Sequence, residues 1–198
     1  MKTIKVKFGH FWPNFNNEDN YFTQILSKKY NVVLSDQPDL YFFTHSYNNK
    51  HDYLKYKCHR VFLGWENERA NWNISDYVLD SDFYDNIRHK RWPIWAAWRP
   101  DKLIESKNVD SLLDKSKFAC MVVSNGKAKE RIDFFHLLSK YKNVDSGGRF
   151  LNNIGGPVKN KMDFIKDYKF VLSFENSTHP GYTTEKLIEP MWVNSIPI

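Results

Sequence analysis

The apolar run KFVLSF (169–174) ends in Glu175 and Asn176; a Pro180–Gly181 turn follows, and Glu185 and Lys186 then stand side by side where a helix begins, near Thr183 or Thr184. A carboxylate there can accept hydrogen bonds from sugar or ribose hydroxyls, while an ammonium can face a pyrophosphate. Strand C-terminal ends border the ligand crevice of open α/β sheets, and a helix N-terminus offers N–H groups and the positive end of its dipole to an anion. The plainer alternative is equally compatible with the residue types: Glu185 as ordinary first-turn electrostatics and Lys186 as solvated surface.

Arg131 is a second candidate. In the helical stretch 129–141 it shares a face with Phe135 and Leu138, so it either snorkels from a core-facing stripe or reaches for an anion in a cleft. A third is Glu66, which follows the short apolar strand VFLG and is flanked by Trp65, Asn67 and Arg69. A carboxylate at a strand end can serve as a general base if its surroundings raise its pKa, as a tryptophan-lined cleft would. Glu68 lies two residues on, and residue type alone does not say which of the two points inward.

The elements that must carry these groups read as α/β. TIKVKF (3–8) alternates like a strand, NYFTQILSKKY (20–30) has helical spacing, and NVVLS (31–35) and DLYFFT (39–44) read as strands. A second set begins near Lys117, with FACMVVS (118–124) as strand, AKERIDFFHLLSKY (128–141) as helix, a Gly147–Gly148 turn, NKMDFIKDY (160–168) as helix, KFVLSF as strand, a further helix and the strand-like SIPI (195–198). Strands apolar on both faces and separated by helices describe parallel sheets covered on both sides. The polar, weakly periodic segment 100–116 is the expected boundary, giving an N-terminal unit over 1–112 and a C-terminal unit over 113–198. Because SIPI reads as the beginning of a further strand, the second unit is expected to be incomplete, truncated at its C-terminal end.

Composition narrows the class. With 41% hydrophobic and 17% aromatic residues the protein can bury a substantial core. Its net charge of +6 divides almost evenly between the two halves, which argues against a nucleic-acid-binding arm and leaves a small anionic ligand or an anionic membrane surface. Cys58 and Cys120 lie outside any metal-binding spacing and read as buried thiols, and no run is apolar enough for a signal peptide or a membrane span. The expected location is therefore the cytoplasm, with room for peripheral attachment to the inner face of the membrane.

The run 174–187 resembles the nucleotide-sugar signature of the α1,3/4-fucosyltransferases, with Asn176, Gly181, Tyr182, Thr184, Glu185, Lys186 and the closing Ile196–Pro197–Ile198 in order and spacing. ENERANWNISDY (66–77) is similar to another segment of that family at Glu66, Asn67, Arg69, Asn73, Asp76 and Tyr77, and DFYDNIRHKRWP (82–93) to the stretch that follows it. Arg131 falls at the position of the family's phosphate-binding arginine. Trp65 and Ala70 depart from it, standing where glycine and proline are common, and Pro190 falls inside the donor helix, where it is expected to kink it.

The resemblance covers roughly residues 60–198 and implies a GT-B-like architecture of two Rossmann-like domains. It implies an inverting transfer of L-fucose from GDP-fucose, without a metal or other cofactor, to a glycan acceptor, as α1,3 transfer to GlcNAc or Glc of a bacterial surface glycan such as lipopolysaccharide. Glu66 would be the base, and Arg131, Asn176, Tyr182, Glu185 and Lys186 would hold the donor. A related transferase using another nucleotide sugar and a non-catalytic carbohydrate-binding module, with aromatic side chains as stacking platforms, are the competing readings.

Overall fold

The structure, a computed structural model, describes residues 1–44, 52–98 and 109–198. In sequence order the elements are β1 (Lys2–Gly9), α1 (Tyr21–Ser27), β2 (Tyr30–Leu34), β3 (Leu40–Phe43), a 3-10 turn (Asp52–Lys55), β4 (His59–Gly64), β5 (Tyr77–Asp80), β6 (His89–Arg91) and α2 (Ile94–Trp98). After them come α3 (Val109–Leu113), β7 (Lys117–Met121), α4 (Lys129–Tyr141), β8 (Val144–Ser146), α5 (Lys161–Ile165), β9 (Tyr168–Val171), α6 (Glu185–Trp192) and β10 (Ile196–Pro197). Two compact units result, one of residues 1–98 with 179–182 and the other of 99–178 with 183–198. Much of the segment expected to be the boundary, 99–108, lies outside the described residues.

Among the described residues of the first unit, six parallel strands run in the order β2-β1-β3-β4-β5-β6. The backbone leaves β1 toward β2 on one side and returns as β3 on the other, which sets a topological switch point at the β1/β3 seam. Side-chain alternation splits the central strands between two cores. Phe42, Val61 and Leu63 pack on one face with Val6, Phe8 and Phe22, whereas Tyr41, Phe43 and Phe62 pack on the other with Val78. Aromatic stacking reinforces the first cluster, with Phe8 and Phe42 at 5.3 Å and Phe22 and Trp65 at 5.9 Å between ring centroids; such pairs add about 0.5–1.5 kcal/mol beyond their area burial.

The second unit repeats the scheme with parallel strands in the order β10-β9-β7-β8. Ala119 and Met121 face Phe135 of α4, while Cys120 between them faces Ile165, Tyr168 and Val171. The α/β reading with parallel sheets thus holds for both units. Cys120 is buried as expected, its thiol pushed up to about 12 by burial, but Cys58 is only half-buried.

Helix ends follow local chemistry. The Asn20 side chain accepts from the N–H groups of Phe22 and Thr23 while Thr23 answers the Asn20 N–H, a reciprocal cap; Asn160 and Thr184 cap α5 and α6 with their side-chain oxygens. Two helices are shorter than their spacing suggests. The stretch 20–30 is helical only to Ser27 because Tyr30 opens β2, and 160–168 only to Ile165 because Tyr168 opens β9. Three-residue strands such as β6 and β8 escape recognition by periodicity, being too short to show a period. Pro190 sits in the last turn of α6, which runs only two residues beyond it.

Candidate active site

In the second unit the candidate residues gather beyond the C-terminal ends of the adjacent strands β7 and β9. Arg131, in the first turn of α4, is 1% exposed. Its guanidinium donates to Phe174 O (3.4 Å) and Asn176 Oδ1 (3.1 Å) from Nη1 and to Asn125 O from Nη2, tying the loop after β7 to the loop after β9. This overturns the snorkelling alternative: the head group is inside, its two Nη groups on carbonyl and amide oxygens while the buried Nε has no hydrogen-bond partner. Burial lowers its pKa, an effect opposed by the Glu175 carboxylate.

Glu175 organises the start of α6, a role its sequence position alone did not reveal. Its carboxylate accepts the Thr184 N–H at 2.7 Å and the Thr184 hydroxyl at 2.8 Å, and lies 3.3 Å from Lys186 Nζ. Thr184 Oγ1 in turn accepts the Lys186 N–H at 3.3 Å. The Thr184 and Lys186 N–H groups at the helix start are therefore already engaged by protein oxygens. Lys186 Nζ also lies 3.3 Å from Glu185 Oε1. Burial, the largest single influence, would raise the Glu185 pKa, but the Lys186 ammonium, the Glu185 N–H and the Lys161 charge together outweigh it and hold the carboxyl below its ordinary value. For Lys186 burial alone would lower the pKa, and the Glu185 and Glu175 carboxylates outweigh it in the other direction. The structure therefore brings together Arg131, Asn176, Glu185 and Lys186 in one unit, with Glu175 and Thr184 added.

Tyr182 and Glu66 belong to the first unit. The buried Tyr182 side chain extends its hydroxyl to within 3.5 Å of Glu66 Oε2. Glu66 is exposed, two residues past the end of β4, and its carbonyl accepts the Glu68 N–H at 2.8 Å. Trp65 does not wall a cleft beside it. Its ring is buried among Phe22, Phe11 and Trp12, whereas the next residue, Glu66, lies in a bend with its side chain exposed. Glu68 is half-buried. Nearby, Asp82 accepts from Arg69 and from the Tyr84 hydroxyl (2.8 Å), and Arg69 also donates to Asn67. Among the described residues no group of three or more His, Cys, Asp or Glu side chains is placed to hold a metal ion, and no helix is long and apolar enough to cross a membrane.

Comparison with known proteins bears on both units. Residues 112–198 match the family described as glycosyltransferase family 10 (fucosyltransferase), C-terminal, and residues 6–98 match the alpha-(1,3)-fucosyltransferase FucT N-terminal domain. This chain belongs to glycosyltransferase family 10. Among its family relatives, the alpha-(1,3)-fucosyltransferase FucT of Helicobacter pylori is 30% identical over 98% of this chain and 50% of its own length. The mouse 4-galactosyl-N-acetylglucosaminide 3-alpha-L-fucosyltransferase 9 is 36% identical over 42% of this chain and 23% of its own. The chain thus spans half the length of the Helicobacter relative. A crystal structure of an alpha1,3-fucosyltransferase with GDP-fucose superposes on all of this chain and 68% of that one, with a TM-score of 0.79 at 27% identity; another with GDP gives 0.79 at 28%. The expected GT-B-like fold class agrees with these neighbours.

Proposed function

We propose that the protein containing this chain is an inverting fucosyltransferase that moves L-fucose from GDP-fucose to a hydroxyl of a glycan, forming an α1,3 linkage to a GlcNAc-type acceptor. The observation that carries the reading is the cluster of Arg131, Asn176, Glu185 and Lys186 at the C-terminal ends of β7 and β9, within a protein whose two halves both match fucosyltransferase families. Its two cations are balanced by the carboxylates of Glu185 and the adjoining Glu175, so recognition of the donor rests on geometry more than on net charge. Lys186 and Arg131 stabilise the negative charge that gathers on GDP as the glycosidic C–O bond breaks. Glu185 and Asn176 suit the hydroxyls of the ribose or fucose, and Tyr182 the donor near the reacting carbon.

In this scheme Glu66 takes the proton of the acceptor hydroxyl as that oxygen attacks the anomeric carbon from the face opposite GDP. An exposed carboxylate at a strand end suits an incoming sugar hydroxyl. The α1,3 linkage and GlcNAc-type acceptor rest on the activities named for the relatives. The decisive measurement incubates the protein with GDP-fucose and N-acetyllactosamine-type glycans and compares GDP release with fucosylated product. Equal amounts of the two are expected, with GDP-mannose and UDP-galactose inactive. Transfer from another nucleotide sugar, or saturable glycan binding with no GDP release, would overturn the reading.

A further inference from the structure

The 179–182 turn lies far along the sequence yet packs within the first unit, and the contacts that hold it converge on one residue. Arg91, the last residue of β6, donates from Nε to Ser81 O at 3.2 Å and from Nη2 to Gly181 O at 3.1 Å. Its guanidinium also lies 4.8 Å from the centroid of the Phe83 ring. Two carbonyls separated by 100 residues of sequence are thus held by one planar cation, whose fixed fork lysine cannot reproduce. Gly181 makes the approach possible. Its φ is +86°, and a Cβ at that position would meet Ser81 O at 2.3 Å and Phe83 Cε2 at 2.8 Å, so the turn sits flush on the loop.

The loop beneath is braced by its own hydrogen bonds. Asp80 Oδ1 accepts the Asp82 N–H at 2.9 Å and faces His89 Nε2 at 2.9 Å, the Trp92 N–H reaches Asp80 O, and Asp80, Ser81 and Asp82 are all buried. On the far side of the turn His179 Nε2 lies 3.4 Å from Asp82 Oδ1, and the Tyr182 N–H closes the turn on His179 O at 3.0 Å. The residue after Gly181 is Tyr182, whose hydroxyl meets Glu66. Every one of these contacts lies within the first unit.

We propose that Arg91 is a positioning residue: by pinning the Gly181 carbonyl to the Ser81–Phe83 loop it fixes Tyr182 beside Glu66 for the transfer step. The inference rests on the proposed fucosyl transfer for its kinetic consequence but not for its structural one. Without Arg91 the turn loses the charged donor that holds its Gly181 carbonyl, and the Tyr182 hydroxyl samples positions away from Glu66. Binding of GDP, assigned to side chains of the other unit, does not depend on this contact.

The test measures amide hydrogen exchange and steady-state kinetics in parallel on Arg91→Ala, Arg91→Lys, Gly181→Ala and the neighbouring control Lys90→Ala. Exchange over 179–184 is expected to quicken at least about tenfold in Arg91→Ala and Gly181→Ala, as loss of a hydrogen bond to a charged group implies, and to stay unchanged in Lys90→Ala. In the transferase assay kcat falls by about 10–100-fold while KM for GDP-fucose and GDP affinity hold within about threefold, Arg91→Lys recovers part of the loss, and adding Tyr182→Phe to Arg91→Ala lowers kcat little further. Unchanged exchange over the turn, or quickened exchange with kcat intact, would overturn the proposal. So would a loss carried wholly by donor KM. Should Arg91→Ala not fold, Arg91→Lys and Gly181→Ala carry the same comparison. A wild-type protein that transfers nothing from GDP-fucose removes the fucosyltransferase reading and leaves the turn contact to be judged by exchange alone.

Discussion

Arg131 and Glu66 stand for two ways of holding a functional charge. Arg131 is enclosed, with its Nη groups on three protein oxygens, and the nearby Lys186 is shared between two carboxylates. Glu66 lies exposed after β4, met by a tyrosine hydroxyl at 3.5 Å. The difference fits the role proposed for each charge. A cation that must greet a diphosphate inside a folded unit is stable there only if partners replace its lost hydration, so its neighbourhood is built before the ligand arrives. A base must meet the proton of a mobile acceptor, and exposure at a strand end serves that encounter.

The largest expected effect falls on the exposed side. Glu66→Gln keeps the shape of the side chain but removes the base, and should lower turnover by roughly 10²–10⁴-fold with GDP affinity intact. Glu68→Gln is its matched control, measured in the same assay, and a greater loss there would transfer the base to the half-buried carboxylate and break the comparison. The next two substitutions separate a cation that also braces the fold from one that acts chiefly on the ligand. Arg131→Ala takes the charged donor from the partly buried Phe174 and Asn125 carbonyls and should lower stability by about 1–3 kcal/mol, visible as a fall in Tm. Lys186→Ala should instead weaken GDP binding by about 1.5–3 kcal/mol in calorimetry and leave guanosine nearly unaffected, with the smaller change in Tm. Equal losses for GDP and guanosine would mean that Lys186 supports the fold rather than a phosphate.

The smallest effect is on pH dependence and belongs to the enclosed cluster. Glu185 is held below its ordinary value, so its contribution to stability is present above the unfolded-state carboxyl pKa and is lost as pH falls through the lower folded value. Lys186 is raised, so its contribution is complete below the unfolded-state value near 10.5 and disappears as pH rises through the higher folded one. Between those limits the pair should give a flat stability profile. Glu185→Gln should flatten the acid limb of denaturation midpoints measured against pH, and an unaltered limb would place the acid sensitivity elsewhere.

Much of this was legible in residue order because it is local. The 3.6-residue spacing of Arg131, Phe135 and Leu138 defined α4, and a threonine at 183 or 184 with the Glu185–Lys186 pair marked the start of α6 where a strand, a Pro-Gly turn and a helix meet. The family signature placed the same residues, since its motifs are short continuous runs. What stayed hidden depends on contacts across long stretches of sequence. Glu175 reads as one more strand-end carboxylate until the fold carries Thr184 back to it. The orientation of Glu66 was undecided between two neighbouring glutamates until Trp65 was seen packed against Phe22.

The sequence by itself therefore determined the α/β class, the principal helices and strands, and the chemistry present at residues 174–187, because periodicity, caps and turn residues act within a few positions of one another. Tertiary structure alone decided that Arg131 is buried rather than snorkelling, that the Tyr182 hydroxyl meets Glu66, and that Arg91 holds the Gly181 turn. Those outcomes are fixed by which strand ends become neighbours, and strand order is set by the packing of whole sheets, a property that no local run of residues contains.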